Sequence, residues 1–298
     1  MKKNTEKVFL KGNEVIIHAA MRAGCRCFFG YPITPSSEAL EEAMVRFPEA
    51  GGVAVQMESE IAASFACYGA SASGERVLTV TSGPGLSWMH DAICYMATAE
   101  LPGVFVSMMR AGPALGGVLP SQADYTQAVK GGGNGDYHSI VLAPSTVQEL
   151  ADLTYRAFSL SDRYRNPVIV LGDGTLGQMK ESLVLPDLVE KLPSKDWTIR
   201  GRKNDAPNMF IPFNLDPLGL ERLNQKLQQK YLEIKESSCF SEVTNVSDAD
   251  ILVVAFGSMA RIVKTVIKRA RADGIKVGLF RPVSLWPFPG APLREITQ

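Results

Sequence analysis

Thr34, Glu60 and Arg110 are the side chains whose types and settings could do chemistry: a hydroxyl on a rigid turn, a carboxylate beside a run of small residues, and a guanidinium at a strand's end. Thr34 lies in Phe28-Phe29-Gly30-Tyr31-Pro32-Ile33-Thr34-Pro35, an apolar run that stops at a proline-bounded turn. Pro32 and Pro35 fix the backbone, and Pro35 suits the first position of a helix with Thr34 as its N-cap. Such a ledge offers a hydroxyl and free N–H groups to an anion; the same residues also describe a capped helix and nothing more.

Glu60, with Glu58 just before it, stands at the boundary between an apolar strand and a helix. The small residues that follow (Ala62, Ala63, Ala66, Gly69, Ala70) allow close helix packing, which would leave Glu60 poorly solvated and able to exchange a proton or a short hydrogen bond with a ligand. The alternative is an acid that complements a helix dipole, worth a few tenths to about 1 kcal/mol. Arg110 follows the apolar run Val104 to Met109 and opens the loop Ala111 to Gly117. There it could grip a carboxylate with two parallel hydrogen bonds, or serve a structural ion pair.

Two glycine-rich stretches are less decisive. Thr81-Ser82-Gly83-Pro84-Gly85 allows close backbone approach, but it lacks both the lysine of a P-loop and the full Gly-x-Gly-x-x-Gly pattern, so packing is its expected role. Lys130 to His138 is too rich in glycine for regular structure and suggests a ligand-hugging loop. His138 is there either an acid–base group or simply hydrogen-bonded.

The elements that position these groups alternate. Helices are expected over Glu14 to Ala23, Ser36 to Phe47, Ser59 to Ser73, Leu86 to Thr98 and Thr146 to Arg163. Strands are expected over Cys25 to Gly30, Val53 to Gln56, Val77 to Thr81, Val104 to Met108, Ser139 to Leu142 and Pro167 to Leu171. Short apolar strands between amphipathic helices predict an α/β fold with a doubly wound parallel sheet covered on both faces. Residues 8–178 form this domain. Residues 179–247 are proline-rich and read as a connector with an exposed helix, Gly219 to Glu236. Residues 248–298 supply a strand, a basic helix and a strand, a second α/β domain that looks incomplete or dependent on another chain.

The chain has 298 residues, 46% hydrophobic and 21% charged, with Lys+Arg and Asp+Glu both at 31, so it has no electrostatic footprint for nucleic acid. No signal peptide or membrane span is evident, which makes the cytoplasm the expected setting. Five scattered cysteines without a Cys-x-x-Cys, and three histidines, suggest no zinc or iron–sulfur site of its own.

In order along the chain, Gly30-Tyr31-Pro32-Ile33-Thr34-Pro35, Glu58-Ser59-Glu60-Ile61-Ala62-Ala63, Ser82-Gly83-Pro84-Gly85, Met109-Arg110-Ala111-Gly112-Pro113 and Gly131 to His138 closely resemble the alpha subunit of 2-oxoacid:ferredoxin oxidoreductases. The likeness covers about Gly12 to Pro186 and Asp250 to Pro289. Asp136-Tyr137-His138 and Arg165-Asn166-Pro167-Val168 look most like the VorB type, acting on branched-chain oxoacids such as 3-methyl-2-oxobutanoate, with the 2-oxoglutarate (KorA) type as neighbour.

The resemblance implies a thiamine diphosphate enzyme in which this chain supplies the pyrimidine side. A beta subunit would hold the diphosphate, Mg2+ and a [4Fe-4S] cluster, with gamma and delta subunits completing the assembly. Gly172-Asp173-Gly174 lacks a fitting partner asparagine, Asn204 lying in the polar connector, and reads as a strand-end turn. By resemblance, Glu60 hydrogen-bonds the aminopyrimidine, Tyr31, Pro32 and Ile33 border the cofactor, and Thr34 and Arg110 bind the substrate carboxylate. The carboxylate leaves as carbon dioxide, electrons pass to ferredoxin and the acyl group to coenzyme A. Asn134 departs from a histidine that relatives often carry, and the chain stops where the family usually finishes its second domain.

Overall fold

The computed structural model describes residues 5–199, 201 and 207–298; Asn204 lies outside them. In chain order the first half comprises β1 (Lys7–Lys11), α1 (Gly12–Arg22), β2 (Cys27–Gly30), α2 (Ser37–Glu49), β3 (Val53–Gln56), α3 (Glu60–Ala72), β4 (Val77–Thr81), α4 (Pro84–Thr98), β5 (Gly103–Met109) and α5 (Tyr125–Lys130). Then follow β6 (Ile140–Leu142), α6 (Val147–Tyr164), β7 (Pro167–Asp173), α7 (Gly174–Gln178), β8 (Lys180–Val184) and α8 (Pro217–Ser237). The last stretch holds β9 (Ser241–Thr244), β10 (Ile251–Val254), α9 (Gly257–Ala272), β11 (Val277–Pro282), β12 (Ser284–Trp286) and α10 (Gly290–Thr297).

Seven strands form the main sheet in the order β12-β6-β7-β5-β4-β2-β3, parallel throughout except for β12. Every residue of β4, β5 and β7 is buried. Successive strand side chains point to opposite faces, so both faces must be covered. Helices α2, α1 and α6 pack side by side, and so do α3, α4 and α5. Local chemistry sets the helix starts: Ser59 Oγ accepts from Ala62 N at 3.2 Å, and Thr146 Oγ1 from Glu149 N at 3.1 Å. Gly24, at φ +77°, stops α1 in the left-handed conformation glycine tolerates.

The helix after the Pro32–Pro35 turn starts later than expected. Its first residue is Ser37 and its N-cap Ser36, so neither Thr34 nor Pro35 has the predicted role. The Ser36 amide and hydroxyl both donate to the Ile33 carbonyl, at 2.9 and 3.0 Å, and this closes the turn before the helix begins. The small-residue stripe of α3 is only partly packed: Ala63 is buried, but Gly69 is exposed.

Residues read as a connector are more structured than their composition suggests. Helix α8 buries Leu227, Tyr231 and Ile234 in the main core, and β9 pairs antiparallel with β11. The last strands divide between sheets: β10-β11-β9 form a three-stranded sheet, while β12 crosses back to pair with β6. The smaller sheet has a small core of Ala260, Ile267, Val277 and Leu279. Strands β1 and β8, absent from the sequence reading, form a separate antiparallel pair.

Candidate active site

In the main sheet β3 lies on one side of β2 and β4 on the other, so the direction of winding reverses at β2. Open α/β sheets bind ligands outside the carboxyl ends of the strands at such a point. The turn 31–36 follows β2, Glu60 follows β3, Ser82 to Gly85 follow β4, and Arg110 follows β5. These four segments therefore arise from one end of the sheet, while His138, which precedes β6, does not.

Arg110 is 8% exposed. Its Nη1 donates to the Thr34 carbonyl and its Nη2 to the Leu115 carbonyl, both at 2.9 Å. Its Nε–H is buried without a partner, and among the described residues no carboxylate lies within ion-pair distance. Of the two roles left open for Arg110, the structural ion pair is not formed here. A buried guanidinium with an unused N–H is a ready anion site.

Glu60 is 9% exposed and is the first residue of α3, so it also meets the helix dipole. Its carboxylate has no hydrogen bond or ion pair among the described residues. Close by is Gly85, where a Cβ would strike Thr81 Oγ1 and stand 2.8 Å from Glu60 Oε1. Thr81 Oγ1 and Ser82 Oγ are buried and unpartnered.

Gly83, two residues from Gly85, has φ +42°, and a Cβ there would be 3.2 Å from Arg110 Cγ. The glycines expected only to pack are the spaces in which the two charged side chains lie.

Thr34 meets Arg110 through its carbonyl, while its side chain is exposed. Tyr31 and Pro32 are exposed and Ile33 is half-buried. The turn is fastened from below by amides that the sequence reading did not single out. Asn13 Nδ2 and Gln178 Nε2 donate to the Pro35 carbonyl at 2.7 and 3.0 Å, and both also donate to Glu38 Oε2, at 2.8 and 3.0 Å. Burial by itself would raise the Glu38 carboxyl, but these bonds and its backbone contact hold it below the usual range.

A cleft of about 990 Å3 opens beside Arg110, lined mainly by apolar groups that include Pro84, Trp88, Pro113 and Leu115. Among the described residues lining it, Arg110 is the sole cation. Glu60, Thr34, Tyr31, Pro32 and Ile33 do not line it. Asp124 does, and it too was missed. Burial pushes its carboxyl above the ordinary range, while hydrogen bonds from Gln127, Gly83 and Ser107 and the Arg110 charge pull the other way.

His138 has a structural setting. Its ring stacks on Trp286 of β12, centroids 4.5 Å apart, and meets the edge of Tyr231 of α8 at 5.1 Å. The glycine loop before it packs on α4: Cβ atoms at Gly132 and Gly133 would meet His90 and Cys94. Asp173 does more than end a strand: Oδ1 caps α7 through Leu176 N and Oδ2 accepts from Ser258 N at the start of α9, both at 3.1 Å.

Residues 18–238 match the family model "Pyruvate flavodoxin/ferredoxin oxidoreductase, thiamine diP-bdg", and residues 249–298 match "Pyruvate:ferredoxin oxidoreductase core domain II". The ketoisovalerate oxidoreductase subunit VorB of Methanothermobacter marburgensis is 51% identical over 97% of this chain and 82% of its own. The 2-oxoglutarate synthase subunit KorA of the same organism is 38% identical over 99% and 86%. Among solved structures, a 2-oxoglutarate:ferredoxin oxidoreductase from Magnetococcus marinus, with 2-oxoglutarate, coenzyme A and succinyl-CoA bound, superposes with a TM-score of 0.88 at 28% identity. That match covers 97% of this chain and 56% of the other, so this chain spans a little over half of it. With a thiamine diphosphate-binding model over most of its length and a VorB subunit at half identity, the chain belongs to the 2-oxoacid:ferredoxin oxidoreductase family.

Proposed function

We propose that this chain provides one side of the active site of a branched-chain 2-oxoacid:ferredoxin oxidoreductase. The reaction converts an oxoacid such as 3-methyl-2-oxobutanoate and coenzyme A to acyl-CoA and carbon dioxide, and two electrons reduce ferredoxin. The observation that carries the substrate class is the cleft beside Arg110, where one cation and the Asp124 carboxyl, itself bonded to Gly83 and Gln127, stand on an otherwise largely apolar wall. One cation suits a single carboxylate, and the apolar lining suits a branched aliphatic side chain. A second substrate carboxylate, as in 2-oxoglutarate, would have no cation of this chain to meet there.

The surroundings of Glu60 suit the aminopyrimidine of thiamine diphosphate: a carboxylate without a protein partner, two orphaned hydroxyls, and a backbone kept open at Gly85. When bound, the cofactor supplies the nucleophilic carbon and the electron sink for decarboxylation. Glu60 holds a ring nitrogen by a hydrogen bond and moves a proton at its own carboxylate oxygen. Arg110 directs its unused N–H groups at the substrate carboxylate, and the Thr34 carbonyl fixes its orientation. Tyr31, Pro32 and Ile33 form a wall for the cofactor.

The partner beta subunit would hold the diphosphate, Mg2+ and the [4Fe-4S] cluster, with gamma and delta subunits completing the complex. Among the described residues no helix is long and apolar enough to cross a membrane, and the proposed setting is the cytoplasm.

The test is to produce the chain with its partner subunits and follow oxoacid-dependent reduction of a viologen dye with coenzyme A across a panel of oxoacids. Branched-chain oxoacids should give the highest kcat/KM. A preference for 2-oxoglutarate would overturn the substrate assignment, and no turnover with any oxoacid would favour a non-catalytic assembly subunit. Full turnover by the isolated chain would refute a shared site, and an undiminished Glu60→Gln enzyme would remove that residue's role.

A further inference from the structure

Asp124 and Gln127 lie on or beside the short helix α5, and together they bind both polar groups of one residue. Asp124 Oδ2 accepts from the Gly83 N–H at 3.2 Å, and Gln127 Nε2 donates to the Gly83 carbonyl at 3.1 Å. The two side chains are joined, Gln127 Nε2 donating to Asp124 Oδ1 at 2.7 Å. The pair is tied to neighbouring elements: Ser107 Oγ of β5 donates to Asp124 Oδ2 at 3.4 Å, and Ser87 Oγ of α4 donates to Gln127 Oε1 at 2.7 Å. Gly83 has the left-handed φ of +42°, and the side its absent Cβ would occupy is filled by Arg110, with Cγ at 3.2 Å, Nε at 3.5 Å and Cδ at 3.8 Å.

Glycine takes a positive φ without strain but is as free to leave it, so bonds to its backbone polar groups are what hold it there. Here the clamp supplies those bonds, and the clamped residue is the floor under the guanidinium stem. The guanidinium's two other contacts are carbonyls of loops, at Thr34 and Leu115. The Thr34 turn is held one residue away, at Pro35, by Asn13 and Gln178, whereas Gly83 has both of its own backbone polar groups held by side chains.

Resting on Arg110 as the group that binds the substrate carboxylate, we infer that Asp124 and Gln127 are positioning residues that set the aim of Arg110 through Gly83. Both side chains also line the cleft, and through Gly83 they govern affinity for the anionic end of the substrate by way of Arg110.

The experiment uses the assembled oxidoreductase. Gln127→Leu removes the donor to Gly83 at similar size, and Gln127 is only partly buried, so folding is spared. The KM for the oxoacid should rise about tenfold, the scale of one well-placed hydrogen bond to a charged site, with kcat falling by less than that. Inhibition by the neutral amide of the same oxoacid, which offers no charge to Arg110, should stay within about twofold of the parent, a margin well below one hydrogen bond's worth. Asp124→Asn, which keeps an acceptor for the Gly83 N–H, should retain most of the affinity that Asp124→Ala loses.

Equal weakening of acid and amide by Gln127→Leu would mean a merely structural role and overturn the inference. A raised KM in Arg110→Lys beside an unaltered Gln127→Leu enzyme would overturn the clamp alone. An unaltered KM in Arg110→Lys would remove the carboxylate assignment, and the clamp's purpose with it.

Discussion

Gly85→Ala isolates the contact between the cofactor-side acid and the turn beneath it. The added methyl would stand 2.8 Å from Glu60 Oε1 and 3.0 Å from its Cγ, and would collide with Thr81 Oγ1. Ordinary contact begins near 3.4 Å, so the carboxylate must retreat by roughly half an ångström; Thr81, fully buried in β4, has little room to yield. Because Gly85 lies within α4, alanine gains about 1 kcal/mol of helix propensity, against about 1–3 kcal/mol lost to overpacking. Net stability should fall by at most about 2 kcal/mol, a loss of several degrees in Tm.

The catalytic cost is expected to be larger. Misplacing a charge-assisted hydrogen bond forfeits about 1.5–3 kcal/mol, or roughly 10- to 150-fold in rate. The assay is kcat/KM of the assembled enzyme at saturating thiamine diphosphate, with cofactor titration and a thermal melt alongside. Gly69→Ala is the control, since a Cβ there meets nothing within 4 Å; it should leave activity and cofactor affinity as they are. A Gly85→Ala enzyme with parental activity and cofactor affinity would refute the coupling of Glu60 to this turn.

Other perturbations test the scaffold. Asp162 pairs with Arg76 at 2.8 Å and Lys195 at 3.0 Å among side chains at most 11% exposed, so Asp162→Ala removes a carboxylate shared by two poorly solvated cations and should cost about 3–5 kcal/mol in denaturant unfolding. Burial pushes the His90 imidazole down to about 4. The unfolded state then binds the proton more readily, and stability complete above about pH 6.5 is lost as pH falls toward 4, by up to about 3 kcal/mol. A His90→Gln variant should show a flatter dependence of Tm on pH across that window. Asp173→Ala removes the α7 cap and the bond to Ser258 N, and should cost about 1–3 kcal/mol and speed proteolysis around the start of α9.

The parts of the fold that were legible in the sequence are those with a local cause. β4 and β5 are short, mainly apolar runs rich in β-branched residues or bulky apolar side chains, α6 carries its Thr146 cap, and all three were placed to within a residue or two. Glu60 and Arg110 could be picked out because each follows a recognisable strand, Glu60 at the start of the next helix. The relations between them were hidden, because they depend on which strands become neighbours. Nothing near Asn13 indicates that its amide will hold the Pro35 carbonyl, and nothing near Trp286 indicates that it will stack on His138. Strand β12 was missed because three residues carry no periodicity, and its pairing with β6 is a tertiary choice. Thr34 was misassigned as a cap because Pro35 fits a helix start equally well wherever the turn closes, and the Ile33 carbonyl closed it later.

The site owes its arrangement to residues without side chains. Gly83 yields its Cβ space to Arg110 and Gly85 yields its own to Glu60, and only Pro84 separates them. The proposed carboxylate-binding and proton-exchanging ends are thus held against one rigid stretch, where proline removes a backbone freedom that glycine would otherwise restore. Their separation is then set by backbone geometry, which loop motion elsewhere changes little. Substitution at either glycine should consequently disturb one end selectively: Gly83→Ala should raise the KM for the oxoacid, and Gly85→Ala should weaken use of the cofactor. A turn that merely packed would give the same loss at both ends whichever glycine was changed.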